Sequence, residues 1–395
     1  MTPSAELKRA ACEAVDAMRG ELIEISRAIH GEPELAFHEE KAAARLTEAV
    51  ERHGLPVTRG VYGLETAFVS EFGSRDAPCV AILAEYDALP GIGHACGHNL
   101  IATAALGAAL ALGKLGAGLP GCVRLLGTPA EEGGAGKEFM ARAGAFQDVG
   151  AAMMIHPSDY NRLNPRILAC AHLDVTYHGK AAHASSRPFN GINALDGLVL
   201  AYQGIAALRQ HIKPTERIHG IITDGGSAPN IVPERAAGRF FVRAATAKDL
   251  GALLTRVVGC FEGAAQASGA RVELVSPEPD YLDMVYNLPL CHAFRSNAEA
   301  LGRVFVPPDH PANARSGSTD MGNVSHDVPA IHPFLAAAPA ECVIHSAEFT
   351  RWAGSEMGDQ AAIDGAKALA MTAIDFFVDA TLRAEVAAAF AATSE

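Results

Sequence analysis

The sequence predicts an α/β protein: a mostly parallel sheet flanked by helices, interrupted by an inserted ferredoxin-like α+β domain. Three observations predict it. Between residues 61 and 157 short, near-continuous apolar runs alternate with helix-like segments, as in a parallel sheet covered on both faces. Near residue 170 the order becomes strand-helix-strand-strand-helix-strand, which is the split ferredoxin-like motif. After the proline-bearing SPEPDYLD (276–283) the α/β pattern resumes. The expected division is therefore 1–167 together with 281–395 for the larger domain, and 168–280 for the insert.

In the larger domain AFVSEF (67–72), CVAILAEY (79–86), CVRLLGT (122–128) and AAMMIHP (151–157) read as strands. LIATAALGAALALGKLG (100–116) and GKEFMARAGAFQD (136–148) are too long for buried strands and read as the helices between them. In the insert, ILACAHLDVTYHG (167–179) is strand-like, and 193–212 has helical spacing through Leu195, Leu198, Val199, Tyr202 and Ile205. RIHGIITD (217–224) and AAGRFFVRAAT (236–246) are strands, 248–268 is a helix, and ARVELVS (270–276) closes the unit. Two late strands are expected in the larger domain, VPAIHPF (328–334) and AECVIHS (340–346).

Composition excludes several classes of function. At 395 residues the chain exceeds what one core usually organises, in keeping with two domains. A net charge of −13 argues against nucleic acid or an anionic membrane as a partner, because each needs a basic footprint. The N-terminal stretch is polar and amphipathic, unlike a secretory signal. The longest apolar run ends at Lys114 and is too short to span a bilayer. Eight scattered cysteines without a C-x-x-C suit reduced thiols in a cytoplasm. The expectation is a soluble, cytoplasmic protein acting on a small molecule.

Chemistry-bearing residues gather at the strand ends. The strand at 79–86 runs into Asp87 and then HACGHN, with Cys96 and His98 two residues apart. The strand at 122–128 leads into Glu131 and Glu132, the strand at 151–157 carries His156, and CVIHS ends in His345. Open parallel sheets bind their ligands beyond the carboxyl ends of the strands, and thiolate, imidazole and carboxylate together are metal ligands. Each residue alone has a plainer explanation. A lone histidine is commonly a capping or core residue, Glu131 and Glu132 could be charges at a helix N-terminus, and Cys96 could be a small apolar filler. Their shared location is what points to a metal centre.

Two other motifs fail. GIGHACG (91–97) has Cys96 where a dinucleotide-binding turn needs its next glycine, and no acidic residue follows about twenty positions on. GGAGKE (133–138) has Glu131 and Glu138 where a phosphate-binding loop needs Gly and Ser or Thr. Cys96 as a nucleophile paired with histidine remains an alternative to Cys96 as a ligand.

AEYDALPGIGHACGHN, GTPAEEGGAGK, HGKAAHAS, GGSAPNIVPE and GSTDMGNVSHDVPAIHPF together resemble the dinuclear metallopeptidase family of aminoacylases and carboxypeptidase G. The likeness runs over almost the whole chain. It is closest to the branch with aminobenzoyl-glutamate hydrolases, auxin-conjugate hydrolases and a β-alanyl-lysine-type dipeptidase. The resemblance implies a metallopeptidase catalytic domain with an inserted lid and dimerisation domain, and a homodimer through that lid. It implies two divalent metal ions (zinc, manganese or cobalt) held by Cys96, His98, Glu132, His156 and His345. Glu131 is implied as general base, His183 as the histidine that a partner chain brings to the reacting carbonyl oxygen, Asn230 as a substrate contact, and Asp87 as the carboxylate behind the ligands. One departure is visible: the wider family has His-x-Asp where this chain has Glu85-Tyr86-Asp87. That leaves five protein ligands for two metals.

The implied activity is cleavage of the amide of an N-acyl amino acid, a dipeptide or a related conjugate. Its enzymatic alternative is hydrolytic deamination of an aromatic or heterocyclic amine. A non-catalytic metal-dependent binding protein on the same scaffold is the alternative from another class, and the intact Glu131-Glu132 pair argues against it. Arg243 and Arg315 are candidate anion-binding residues, although arginine in a strand or loop is more commonly a salt-bridge partner.

Overall fold

The computed structural model describes residues 3–393; the first two and last two positions of the larger expected domain lie outside them. By its internal contacts the chain divides into two units, Met1–Arg166 with Met284–Glu395, and Ile167–Asp283.

The larger unit is built on a six-stranded sheet. In spatial order its strands are Thr58–Arg59, Phe68–Gly73, Cys122–Gly127, Cys79–Ala84, Ala151–Met153 and Ala330–Ile331. The last four run parallel, and Phe68–Gly73 is antiparallel to both of its neighbours. Cys79–Ala84 is buried at all six positions, as a central strand covered on both faces should be. The helix His98–Lys114 packs against the long helix Glu356–Val378. Both are rich in Ala and Gly, which permits close approach: a Cβ on Gly107 would meet the Cβ of Ala366 at 3.0 Å. Leu22, Ile25 and Ile29 of the helix Arg19–Gly31 belong to the same core. Each such buried side chain contributes ~1.5–3 kcal/mol.

Four expected elements differ, and one of them, VPAIHPF, is split into Ala330–Ile331 and Phe334–Ala336, which belong to two different sheets. The segment 136–148 is helical only over Gly136–Arg142, because Gly144 and Asp148 take positive φ values of 88° and 61°. The run at 151–157 is two short strands, Ala151–Met153 and His156–Ser158, the second pairing with Phe334–Ala336. AECVIHS is not a strand. Glu341 and His345 have φ of 68° and 62°, and Cys342 turns in to pack with Ala338 and Phe349. His345 therefore arrives on a loop ahead of the helix Ala347–Ala353, its N–H donating to the Ala95 carbonyl at 2.8 Å.

The smaller unit is a four-stranded antiparallel sheet in the order Arg271–Val275, Ala169–His178, Arg235–Ala244, Arg217–Asp224. Its two helices, Ala194–Leu208 and Ala247–Ser268, pack together and supply Leu198, Ile205, Val257 and Phe261 to its core. The Asn193 and Thr246 side chains cap the helix N-termini by accepting from backbone N–H groups. Among the described residues no helix is long and apolar enough to cross a membrane.

Candidate metal centre

The centre forms where three parallel strands of the larger unit end. The strand Cys79–Ala84 delivers Glu85, Tyr86 and Asp87, all buried. Tyr86 is fixed by donating its hydroxyl to the Thr66 carbonyl at 2.6 Å. The chain then turns through Leu89–Gly93 and returns at Cys96 and His98, at the start of the helix His98–Lys114. Gly97 makes this return possible. Its φ is +79°, and a Cβ there would lie 2.6 Å from Pro157 Cγ, so only glycine lets this turn approach the strand carrying His156.

Glu131 and Glu132 lie on the turn after the strand Cys122–Gly127 rather than on a helix N-terminus. Two buried carboxylates shape that turn. Glu39 accepts the Ala130 N–H at 2.8 Å, holding Ala130 at a φ of 62°. Asp87 accepts the Glu132 N–H at 2.9 Å.

The histidine tautomers follow from their partners. Nδ1 of His98 lies 3.1 Å from the Asp87 carboxylate and Nδ1 of His156 lies 2.7 Å from the Pro157 carbonyl. Both oxygens accept only, so both Nδ1 atoms carry a proton, which leaves Nε2 as the atom through which either ring would bind a metal. Cys96 Sγ is 3.3 Å from Nε2 of His156 and 3.3 Å from Nε2 of His345. Nε2 of His345 is 3.4 Å from Glu132 Oε1, and Nε2 of His98 is 3.8 Å from oxygens of both Glu131 and Glu132. All five sequence-predicted ligands thus converge, in overlapping groups with donor atoms within 4.8 Å of one another.

The donor set fits a metal. His98 Nε2 and Glu132 Oε1 are buried without a hydrogen-bond partner, a costly state unless something else satisfies them. The electrostatics agree. Burial, and then the charges of Glu85 and Glu132, push the Glu131 carboxyl well above the usual range. Burial and then Glu132 push the Cys96 thiol up. A cluster of anions that resists ionisation when empty of cations is one that a divalent ion would relieve.

Sequence reasoning missed the buried ion pairs beneath this cluster. Lys137, fully buried, donates to Glu85 at 2.6 Å and to Asp320 at 2.7 Å. Against burial, those two carboxylates raise the lysine pKa. The Asp320 carboxyl is raised to about 6 by burial despite the lysine beside it. His332, also buried, packs its ring edge-on to His156 at 5.4 Å. The signal was a lysine inside GGAGK and an aspartate inside GSTDMG, each surrounded by small or apolar residues.

The other predicted residues lie in the smaller unit. His183 is exposed, and its Nδ1 accepts from the N–H groups of Ser185 and Ser186 at 3.3 and 3.4 Å, so Nε2 carries the proton. Asn230 is exposed beside it, its carbonyl accepting the Ala184 N–H at 3.0 Å. Back in the larger unit, Arg315 contacts Asp159 and Glu341 at 2.5 Å each and is a salt-bridge partner.

Comparison with known proteins places these features. The profile described as peptidase family M20/M25/M40 matches residues 81–370. The chain is 42% identical to a mouse (Mus musculus) Xaa-Arg dipeptidase over 382 residues, covering 93% of this chain and 88% of the relative. It is 30% identical to a p-aminobenzoyl-glutamate hydrolase component of Escherichia coli, covering 96% of this chain and 94% of the relative. A Bacillus subtilis dinuclear metal-binding peptidase shares its fold with a TM-score of 0.69 at 22% identity, covering 91% of this chain and 98% of the other.

Proposed function

The chain belongs to peptidase family M20/M25/M40, and from that premise we propose how its residues divide the hydrolysis of a small amide. The protein is a metal-dependent hydrolase of dipeptides and amino-acid conjugates. Cys96, His98, Glu132, His156 and His345 hold two divalent ions. Thiolate and imidazole suit zinc, while the carboxylate side also suits manganese or cobalt. When bound, such ions supply Lewis acidity, polarising the amide carbonyl and acidifying water.

The protein's own groups do the rest. Glu131 takes the proton of the attacking water and returns it to the departing amine, as base and then acid. Asp87 fixes both the His98 tautomer and the Glu132 backbone. Residues 168–280 serve as a lid and dimerisation domain. His183, supplied by a partner chain, donates from Nε2 to the oxyanion, a preorganised contact worth ~3–4 kcal/mol, and Asn230 contacts substrate. The edge strand Arg217–Asp224, with Ile221 and Ile222 exposed, offers an open row of backbone groups to a second copy. The eight unpaired cysteines support a reducing, cytoplasmic setting.

The observation that carries this reading is the convergence of three imidazole Nε2 atoms on Cys96 and Glu132, with Glu131 beside them. Metal-stripped and metal-reloaded protein should be screened against N-acyl amino acids and dipeptides, including Xaa-Arg dipeptides. Glu131→Ala should keep its metal and lose turnover. Metal loss in that variant would make Glu131 a ligand and overturn the assignment.

A further inference from the structure

We propose that Glu85 is a sixth protein ligand of the metal centre, binding through Oε1 beside Nε2 of His98. The inference rests on the metal-hydrolase reading and adds a ligand that the sequence pattern leaves out.

Glu85 is fully buried, and its two carboxylate oxygens have different surroundings. Oε2 accepts from Lys137 Nζ at 2.6 Å. Lys137 is itself locked: Asp320 accepts from Nζ at 2.7 Å and from the Lys137 backbone N–H at 2.9 Å. The lysine therefore neutralises one oxygen and fixes the direction of the other. Oε1 has no hydrogen-bond partner, and it lies 3.4 Å from His98 Nε2, another buried atom without one.

Asp87 holds the His98 proton on Nδ1. Nε2 and Glu85 Oε1 then face each other at 3.4 Å in the interior, each without a hydrogen-bond partner, as two ligands of one ion would. Two ligands each ~2.1 Å from one ion, at a tetrahedral angle, stand ~3.4 Å apart. The Glu85–His98 separation has that value, and so does the contact of Glu132 with His345. A carboxylate held rigidly on the imidazole side adds a hard oxygen donor where Cys96 supplies a soft one, which favours manganese or cobalt over zinc on that side.

The test uses the full-length protein, stripped with a chelator and titrated with Mn2+ and Zn2+ alone. Metal content and dissociation constants are measured for wild type and Glu85→Gln, with the thermal midpoint of each apo-protein as a control. The expected result is that Glu85→Gln binds Mn2+ at least tenfold more weakly than wild type. An unchanged stoichiometry and affinity in a folded Glu85→Gln protein overturns the proposal, as does a shift confined to the apo midpoint, which would mark Glu85 as only a partner of Lys137. Should the variant not fold, a crystal structure of Mn2+-loaded wild type decides: Glu85 Oε1 at ~2.0–2.2 Å from an ion supports the assignment, and a separation beyond ~3 Å removes it. Wild type that binds neither metal would instead refute the metal-hydrolase reading itself.

Discussion

Asp87 accepts the Nδ1–H of His98 through Oδ1 at 3.1 Å, and its other oxygen is committed to the Glu132 N–H at 2.9 Å. One carboxylate thus sets the ring orientation of one ligand and the backbone position of another. An asparagine has one acceptor where this site needs two. Asp87→Asn should therefore weaken metal binding by ~10–100-fold, as loss of a group that orients ligands commonly does. Competition with a chromophoric chelator measures this, and affinity within twofold of wild type would show that the carboxylate is dispensable.

Gly97 tests whether the approach of two chain segments assembles the centre. Gly97→Ala must relieve a 2.6 Å contact with Pro157 Cγ while holding a φ of +79°. The backbone conformation alone costs a non-glycine residue ~1–3 kcal/mol. Pro157 follows His156, so relief by movement also separates His156 from Cys96. Urea unfolding should show the stability loss and metal titration a weakened affinity. Unchanged values for both would mean that the turn relaxes without disturbing the ligands.

What the sequence made legible, and what it hid, follows from how each residue reaches the site. Cys96, His98, Glu132 and His156 stand at or just beyond the ends of parallel strands, and apolar strands are readable in one dimension. His345 reaches the site by a different route from the one its surroundings suggest: the run CVIH has the composition of a strand, but backbone at positive φ makes it a loop. Glu85, Lys137 and Asp320 were hidden because a lysine code letter does not reveal burial. GGAGK resembles a failed phosphate loop, and nothing local indicates that its lysine turns inward to two carboxylates from distant parts of the chain.

The smaller unit carries its own pH dependence. Burial alone would lower the pKa of His172, but contacts with Cys170 and Glu278 outweigh it and raise it to about 9. The unfolded value is about 6.5. A group whose pKa is raised by folding adds stability that is complete below the unfolded value and lost as pH rises through the folded one. Hydrogen exchange in the strand Ala169–His178 should thus accelerate between about pH 6.5 and 9, beyond the intrinsic rise of exchange with pH. His172→Gln should flatten that extra dependence, and an identical profile in the variant would place its origin elsewhere.

Complementation tests the division of labour between the two units. Glu131 lies in the larger unit, and His183 lies exposed in the smaller one with its Nε2 carrying the proton. If each active site takes Glu131 from one chain and His183 from the other, Glu131→Ala and His183→Ala homodimers are both impaired. A mixed dimer then contains one site with both residues intact and one with neither. Mixing the two variants under conditions where exchange of chains is verified should restore activity, to about one quarter of the wild-type value per chain in a statistical mixture. That figure follows because half the dimers are mixed and each has one working site of two. Activity that stays at the level of the separate variants after exchange would place His183 in its own chain's site or outside the reaction altogether.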